Sequence, residues 1–314
     1  MIILSGPTGV GKSDVALALA RYMPIEIINA DVGQFYVPLT VGTAKPEWKN
    51  APVVHHLFDI ISEPKNITVV DFLSRVRVCA DEICAHGNIP VLVGGSGFYL
   101  YSFFFPPVGT HACTSKKSYD KYSAIQLWKQ LFLLDPERAT RISKQDRYRI
   151  MRALDLWHAH GLKPSTLKPT FLPLLRPTFF FIINRERSDL YRRINVRVES
   201  MLDAGWIDEV ASLSSSWHTF LLKKKLIGYD DIVHFLKDDD ALRFDQLRLR
   251  IAQRTRAYAK RQLTFNRMIT KKVEEQKESV YTEWVNVTAD SDYEDVVQYL
   301  CNVVEKKGLK RVKP

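Results

Sequence analysis

The segment GPTGVGKS at residues 6–13 has the spacing of a phosphate-binding loop: a glycine, four free positions, a second glycine, a lysine and a serine. Glycines let the chain turn tightly, so that successive backbone N–H groups and the positive end of the next helix face one anion. Apolar residues 2–4 precede the segment and an alanine-rich stretch follows it, which predicts the strand and helix that the motif requires. A glycine-rich turn without a ligand is the alternative.

The motif gives a role to each of its polar residues. Lys12 is predicted to reach the outer phosphate, and Ser13 is predicted to bind Mg²⁺. The residues expected to bind a diphosphate or nucleotide are Gly6, Pro7, Thr8, Gly9, Val10, Gly11, Lys12 and Ser13. Which ligand the loop binds depends on the residues that the fold brings beside it.

A carboxylate follows the second predicted strand. Residues 25–30 are mostly apolar and predict a buried parallel strand, and Asp31 stands just past its C-terminal end. Ligands bind at that edge in open α/β sheets, so we expect Asp31 beside the phosphate loop. There it can accept a proton, anchor a substrate donor or help hold the water of a metal ion. Capping of the next turn is the alternative interpretation.

A third predicted strand, residues 89–93, runs into GGSG at 94–97. Hydrolytic P-loop proteins usually place an acid at the end of such a strand to hold magnesium, and PVLVGGSG contains none. The base-reading pattern Asn-Lys-x-Asp of GTPases is also missing from the sequence. The glycines permit close approach of another chain or a ligand, with the Ser96 hydroxyl as donor or acceptor. A simple strand-to-helix turn explains the glycines equally well.

Two arginines share one face of a helix predicted over residues 190–201. Arg193 and Arg197 are four residues apart, which places them on the same side of the helix. Beside a phosphate loop, a guanidinium can pair with two oxygens and neutralise a leaving diphosphate. A surface ion pair is the alternative.

The net charge of +10 is concentrated in two regions of the 314-residue chain. Residues 109–178 hold thirteen basic and five acidic residues, and residues 248–272 hold nine basic residues and no acid. Such regions indicate a polyanionic partner, nucleic acid rather than a membrane surface, although two solvated helical surfaces would show the same charge. The first region lies between proline breaks and contains helical patterns over 125–134 and 147–160. Its candidate contacts to a sugar–phosphate backbone are Gln145, Arg147, Arg149 and Arg152.

The second basic region predicts a helix with two different faces. Leu247, Ile251, Tyr258 and Gln262 form a packing stripe, whereas Arg250, Arg254 and Arg261 fall on another face that is expected to meet phosphates.

Cysteine and histidine usage excludes several classes of site. The four cysteines form no C-x-x-C pair, which argues against zinc and against a disulfide framework. His55 and His56 are adjacent, and chain neighbours rarely present both rings to one metal, so we expect structural or polar contacts near the site. No apolar run reaches the length of a membrane span, and the first strand leaves no room for a signal peptide. A cytoplasmic protein is therefore expected.

The order of these segments predicts an α/β fold: a P-loop-type parallel sheet flanked by helices, with a mostly helical basic insertion. The expected boundaries are 1–108 with 179–314 for the catalytic core and 109–178 for the insertion. The C-terminal third predicts a strand over 284–287, an acidic helix from Tyr293 and a basic tail that is disordered beyond Gly308.

Several blocks between residues 2 and 267 resemble, in order, the tRNA dimethylallyltransferase family. The blocks are GPTGVGKS, INADVGQFY, VGTAKP, HHLFDI, PVLVGGSGFYL, DPERATRI, QDRYRIMRALDLW, LYRRINVRVESML, IGYDDI and RIAQRTRAYAKRQLTFNR. The resemblance implies transfer of an isoprenoid from dimethylallyl diphosphate to the exocyclic amino group of the adenosine just 3′ of the anticodon. It also implies a magnesium requirement and a P-loop that binds a diphosphate donor rather than ATP.

The resemblance also implies roles for individual residues. Asp31 acts as general base or hydrogen-bond anchor, and Ser96, where the family more often has Thr, helps to hold the base. Lys12, the loop amides, Ser13 with magnesium, and Arg197 stabilise the departing diphosphate. Residues matching family positions that contact tRNA are Gln34, Arg147, Arg149, Lys260 and Arg267. The full set expected at tRNA is Asp31, Val32, Gly33, Gln34, Gln145, Arg147, Arg149, Arg152, Arg254, Lys260, Arg261 and Arg267.

The chain departs from the family pattern next to Asp31. The family usually has Ser and then a residue such as Met or Ala before Gln, where this chain has Val32 and Gly33. A polar contact is therefore expected to be lost and the backbone to be looser. The expected partners are tRNA and dimethylallyl diphosphate, with no membrane, and the protein is expected to be a monomer. A small-molecule or nucleotide kinase, a prenyltransferase for free adenylate and a non-catalytic RNA-binding protein are the alternatives.

Overall fold

The computed structural model describes residues 1–107, 119–174, 176–237, 244–276, 280–288 and 293–308. The chain divides into two compact units. The larger comprises Met1–Tyr101 and Pro173–Pro314, and the smaller is Ser102–Leu172. The smaller unit overlaps most of the insertion predicted over 109–178, and an RNA-binding role for it stays a prediction.

A parallel sheet forms the centre of the larger unit. The strands found among the described residues are β1 Ile2–Ser5, β2 Ile25–Asn29, β3 His55–His56, β4 Ile89–Val93, β5 Thr178–Arg185 and β6 Val280–Val287. Their order across the sheet is β3-β2-β4-β1-β5-β6, and every pairing is parallel. The predicted α/β fold with a P-loop-type parallel sheet is confirmed.

Helices follow most of the strands. In chain order they are α1 Lys12–Leu19, α2 Val69–Ala85, α3 Gly97–Phe104, α4 Ala124–Leu134, α5 Pro136–Thr140, α6 Arg147–His160, α7 Arg187–Asp203, α8 Trp206–Ala211, α9 Ser215–Lys224, α10 Tyr229–Lys237, α11 Phe244–Glu274 and α12 Tyr293–Lys306. A 3₁₀ turn, Val32–Phe35, follows β2. Helix α7 contains the predicted span 190–201, and α12 begins at the predicted Tyr293.

The central strands are buried along almost their whole length because both faces of the sheet are covered. Ile2 and Leu4 of β1 join a core with residues of α1 and α12, and Ile3 between them is also fully buried. Phe180 and Phe181 of β5 are fully buried as well. Such uninterrupted burial is typical of parallel strands and explains why sequence patterns located these strands correctly.

The smaller unit packs three helices around a core of its own. Leu127 and Leu131 of α4 contact this core, together with Ile150 and Leu154 of α6. A capping box at Ser123 begins α4, and Asp146 caps α6 by accepting a hydrogen bond from the Arg149 amide at 3.1 Å. The predicted helices over 125–134 and 147–160 are confirmed.

Three details differ from the sequence expectations or lie outside the described residues. His55–His56 form a short strand paired with β2, which no sequence pattern predicted. Strand β6 begins at Val280, four residues before the predicted start at 284, because it follows β5 over its whole length. The tail beyond Gly308 lies outside the described residues.

Among the described residues, no helix is both long and apolar enough to cross a membrane.

Candidate active site

The phosphate loop connects β1 to α1, as its motif predicts. Gly6 has φ +148°, and a Cβ at this position would lie 2.4 Å from the Ile183 carbonyl oxygen of β5. The position therefore requires glycine. Lys12 Nζ donates to the carbonyl oxygens of Gly6 and Pro7 at 3.1 and 2.9 Å, which folds the side chain back over the loop.

Residues from distant parts of the chain hold the loop from outside. Arg193 Nε donates to the Gly9 carbonyl and Arg185 Nε to the Val10 carbonyl, each at 2.9 Å. Within the described part of the chain, no group accepts a hydrogen bond from the amides that begin α1 and its preceding turn, which belong to Gly9, Gly11, Lys12 and Ser13. Amides of this kind at a helix N-terminus form an anion-binding site.

Two positive charges face the same site from different elements. Burial lowers the pKa of Lys12 to about 8, against the opposing effect of the Asp31 carboxylate. Burial also lowers the pKa of Arg197, again opposed by Asp31. No hydrogen-bond or ion-pair partner for the Arg197 guanidinium occurs among the residues that the structure describes. Arg197 is therefore a cation that no described residue pairs with, beside a loop built for anions.

Arg193 and Arg197 share a face of α7 but differ in role. Besides supporting Gly9, Arg193 lies 3.3 Å from the Tyr293 hydroxyl and 4.0 Å from Asp14. The surface ion pair given as the alternative is thus present at Arg193, together with a contact to the loop backbone that the sequence did not predict. Arg197 is the one of the two that can neutralise a bound anion.

A cavity of about 610 Å³, which we call the loop cavity, opens in front of the phosphate loop. Its cations are Lys12 at the start of α1 and Arg192, Arg193 and Arg197 of α7. Its wall also contains apolar side chains, which belong to Ala16, Leu17, Ile27, Phe58, Val93 and Val196. Such a lining suits a ligand with an anionic end and a hydrocarbon end.

A second cavity, of about 570 Å³, contains Ser96 in its wall, and we call it the Ser96 cavity. Its wall includes Val32, Gly33, Trp206, Tyr258 and Arg261. Thr8, Asp31 and Arg197 line both cavities. The two cavities therefore meet at a carboxylate, a guanidinium and the phosphate loop.

Asp31 occupies the position predicted for it and also caps the turn that follows. Its Oδ1 accepts a hydrogen bond from the Gly33 amide at 3.2 Å, and its own amide donates to Asn29 Oδ1 at 2.8 Å. Ser96 Oγ accepts from the Val32 amide at 3.3 Å. Asp31 can therefore cap the turn and also act in the site, because the capping hydrogen bond uses only one of its two carboxylate oxygens.

The departure at positions 32 and 33 leaves an ordered turn. Gly33 is buried, and a Cβ there would lie 3.0 Å from Thr43 Cγ2, so this turn packs closely against the segment around Thr43. Gln34 Nε2 donates to the Thr43 and Ala44 carbonyls at 3.2 and 3.3 Å. A backbone looser than in the family stays a prediction, and hydrogen bonds accepted by Asp31 and donated by Gln34 hold the segment here.

Helix α11 supplies two site residues that sequence reasoning did not assign to the site. Gln262 accepts from the Thr8 amide and donates to the Gly95 carbonyl, each at 2.8 Å. A Cβ at Gly95 would lie 2.3 Å from Gln262 Nε2, so the glycine permits this contact. Tyr258 lines the Ser96 cavity, where burial raises its pKa and the nearby Asp31 raises it further. The one sequence feature that could have indicated this role is that Gln262 is a polar residue within the packing stripe of α11.

Arg250 and Arg254 have partners inside the protein, and the contact of Arg254 with RNA stays a prediction. Arg254 forms ion pairs with Asp230 at 2.8 Å and with Asp231, and Arg250 Nε lies 2.9 Å from Asp231. Asp231 is fully buried, so these arginines compensate a buried charge on α10. Arg261 lines the Ser96 cavity, and its guanidinium carbon lies 5.8 Å from the centroid of the Tyr258 ring.

Two other basic residues of α11 remain available. Lys260 and Arg267 are exposed, and no ion pair joins either of them to another residue in the described ranges. Contact of these residues with RNA stays a prediction.

Basic residues of the smaller unit serve partly as internal contacts. Arg147 donates to the Tyr119 carbonyl at 2.7 Å and to the Tyr122 carbonyl, which fixes the chain before α4. Arg149 is exposed and pairs with Asp146 at 3.4 Å. Gln145 is exposed just before α6, and Arg152 is half-buried on that helix. Their contacts to RNA stay predictions.

The adjacent histidines face different partners. His55 Nδ1 lies 2.7 Å from the Val53 carbonyl, and its ring lines the loop cavity. His56 Nε2 lies 2.6 Å from Glu26. In the described ranges, no group of three or more His, Cys, Asp or Glu side chains could hold a metal ion.

Comparisons with known proteins agree with one another. The profile of the IPP transferase family matches residues 34–269. A tRNA dimethylallyltransferase 1 of Citrifermentans bemidjiense is 37% identical over 273 residues, covering 84% of this chain and 88% of that protein. A tRNA dimethylallyltransferase of Alkaliphilus metalliredigens is 33% identical, covering 96% of each chain.

A solved structure of a eukaryotic dimethylallyltransferase acting on tRNA has the same fold. Its TM-score is 0.79 at 22% identity, with 99% of this chain and 81% of that chain covered. The length of the sequence match, the shared fold and a phosphate loop placed beside Asp31 lead to one conclusion: the chain belongs to the IPP transferase family.

Proposed function

We propose that the protein transfers a dimethylallyl group from dimethylallyl diphosphate to the exocyclic amino group of the tRNA adenosine just 3′ of the anticodon, with release of diphosphate. The observation that carries the proposal is the meeting of two cavities at Asp31, Thr8 and Arg197. The loop cavity suits a diphosphate with a hydrocarbon group. The Ser96 cavity suits an extruded base, since Tyr258 and Trp206 offer aromatic surface and Arg261 offers a cation.

The chemistry needs the groups that meet there. The amino nitrogen of adenine attacks C1 of the dimethylallyl group, and the C1–O bond breaks, so its electron pair leaves with the diphosphate. The amino group loses one proton, which the Asp31 carboxylate accepts. Lys12, Arg197 and the free loop amides stabilise the negative charge that develops on the leaving oxygen.

The loop also fits a magnesium ion with few protein ligands. Mg²⁺ usually keeps several waters and binds one or two protein groups together with substrate phosphates. Ser13 meets that requirement because it is exposed, lines the loop cavity and stands at the start of α1. When bound, the ion would supply further neutralisation of diphosphate charge.

Relatives named as tRNA dimethylallyltransferases support this activity over a kinase or a binding protein without activity. With tRNA as its substrate, the enzyme would act in the cytoplasm, and action as a monomer is part of the proposal. The test is incubation of the purified protein with dimethylallyl diphosphate, Mg²⁺ and either tRNA or AMP.

The expected result is prenylated adenosine at one position of tRNA, with AMP unchanged. Prenylated AMP with unmodified tRNA would contradict the proposed acceptor. Turnover of ATP without release of diphosphate from the prenyl donor would support a kinase instead.

A further inference from the structure

An aromatic side chain forms part of the wall of the loop cavity. Phe58 lines the cavity and is 7% exposed, and His55 and Pro46 line it as well. The cations of the same cavity are Lys12 and three arginines of α7, whereas Phe58 lies on the segment after β3. If the diphosphate binds at the loop, as the proposed function requires, its hydrocarbon group is left to the apolar part of the cavity wall.

The backbone holds Phe58 in an unusual conformation. The residues before and after it, Leu57 and Asp59, have φ values of +63° and +52°, in the left-handed region that L-residues rarely adopt. Such strained backbone persists only where neighbouring contacts enforce it, and it is concentrated at ligand-binding sites.

Identifiable contacts enforce this conformation. Asn29 Nδ2 donates to the Leu57 carbonyl at 3.1 Å, and the same Asn29 binds the backbone of Asp31. Lys45 pairs with Asp59, and Trp48 Nε1 donates to Asp59 Oδ2 at 3.1 Å. The position of the Phe58 ring is therefore tied to the segment that carries the proposed base.

The wall has a second aromatic layer. Trp48 stacks on Phe58, with ring centroids 5.9 Å apart and planes 17° apart. The His55 ring meets Phe58 edge-on at 5.5 Å. Removal of the Phe58 ring would therefore extend the loop cavity toward the ring of Trp48.

We infer that Phe58 sets the length of the prenyl chain that the enzyme accepts, by closing the apolar end of the loop cavity behind a dimethylallyl group. This inference rests on the proposed function and deepens it. A side chain that fills the space needed by a second isoprene unit selects against geranyl diphosphate by steric exclusion. One extra or missing methylene group in an apolar pocket changes selectivity by about 10- to 200-fold.

The test compares two donors on the wild type, Phe58→Ala and Phe58→Leu. The measured quantity is kcat/KM with tRNA for geranyl diphosphate relative to dimethylallyl diphosphate. We expect this ratio to rise by about 10-fold or more in Phe58→Ala and by less in Phe58→Leu. Phe72→Ala is the matched control, because Phe72 is fully buried against Phe35 and Tyr99 in the core.

A second measurement separates this inference from the proposed function. Calorimetry gives the affinities of the unreactive thiolo analogues of both diphosphates without any acceptor. A wild type that prefers the shorter analogue, with the preference lost in Phe58→Ala, supports the wall even if no prenyl group reaches tRNA. An unchanged preference in Phe58→Ala and Phe58→Leu, or an equal change in Phe72→Ala, would overturn the inference whatever the transfer assay shows.

Discussion

The phosphate loop and helix α11 both carry residues that the sequence predicts to bind anions, but of these only residues of α11 form ion pairs with acids in the described part of the chain. The residues of the motif GPTGVGKS lie between the end of β1 and the first turn of α1, and the amides of Gly9, Gly11, Lys12 and Ser13 donate no hydrogen bond to the described residues. On α11, Arg254 and Arg261 both line the Ser96 cavity, but Arg250 and Arg254 pair with acids of α10, whereas no ion pair joins Arg261 to the described residues. A loop motif fixes backbone geometry by itself, but a charge pattern does not say whether its partner is inside the protein.

The largest expected effect is at the carboxylate where the two cavities meet. Asp31→Ala should lower turnover on tRNA by about 100-fold or more, because a proton acceptor is lost from the transition state. The sharper variant is Asp31→Asn, since an amide oxygen can still accept the hydrogen bond from Gly33. A near-normal rate for Asp31→Asn in steady-state assays would mean that Asp31 serves only as a cap.

The next effect concerns the pH dependence of diphosphate binding. Burial lowers the pKa of Lys12 to about 8, so the ammonium is charged below that pH and loses its proton above it. The affinity for inorganic diphosphate should therefore fall as the pH rises through 8, approaching about tenfold per pH unit from this group.

Calorimetry of the wild type and Lys12→Met between pH 7 and 9.5 checks this. The ratio of the two affinities should decline with pH, since the titration of diphosphate itself is common to both proteins. A constant ratio would show that Lys12 keeps its proton throughout the range.

Arg254→Gln tests the ion pairs that join α11 to the acids of α10. It leaves Asp231, which is fully buried, with Arg250 as its remaining cation. Loss of a buried ionic hydrogen bond should cost about 1–3 kcal/mol of unfolding free energy, measured by urea denaturation. Unchanged stability together with weaker tRNA binding would mean that Arg254 does contact RNA directly.

Arg261→Gln tests the contact of α11 with tRNA phosphates and should have the smallest effect. The side chain is exposed and makes a ring contact with Tyr258, so stability should change by less than about 0.5 kcal/mol. The slope of log affinity for tRNA against log salt should become shallower by about one unit. A wild-type salt slope would place Arg261 away from the phosphates.

Local patterns predicted the sheet, the phosphate loop and the position of Asp31. Continuous apolar runs mark strands that are buried on both faces, and the spacing of Gly6, Gly11 and Lys12 fixes the turn that follows the first of them. Asp31 could be placed because the carboxyl ends of parallel strands lie at one edge of the sheet.

Contacts between distant residues could not be predicted in this way. Gln262 joins Thr8 to Gly95 only because α11 packs against the loop, and no local pattern encodes that packing. The ion pair of Arg254 with Asp230 joins residues of two helices. On a helical wheel of α11 alone, Arg254 therefore has the pattern of an exposed charge. The aromatic wall at Phe58 depends likewise on Asn29, Lys45 and Trp48, which lie on other segments.

We propose that the two cavities hold a prenyl diphosphate and an adenine on either side of the residues they share. The decisive experiment is a single-turnover reaction of the wild type with dimethylallyl diphosphate and tRNA, in which diphosphate and prenylated adenosine are followed together. We expect equimolar products that appear with the same rate constant. Diphosphate that appears faster than prenylated tRNA would contradict it, because the prenyl group would then be reaching water instead of the base.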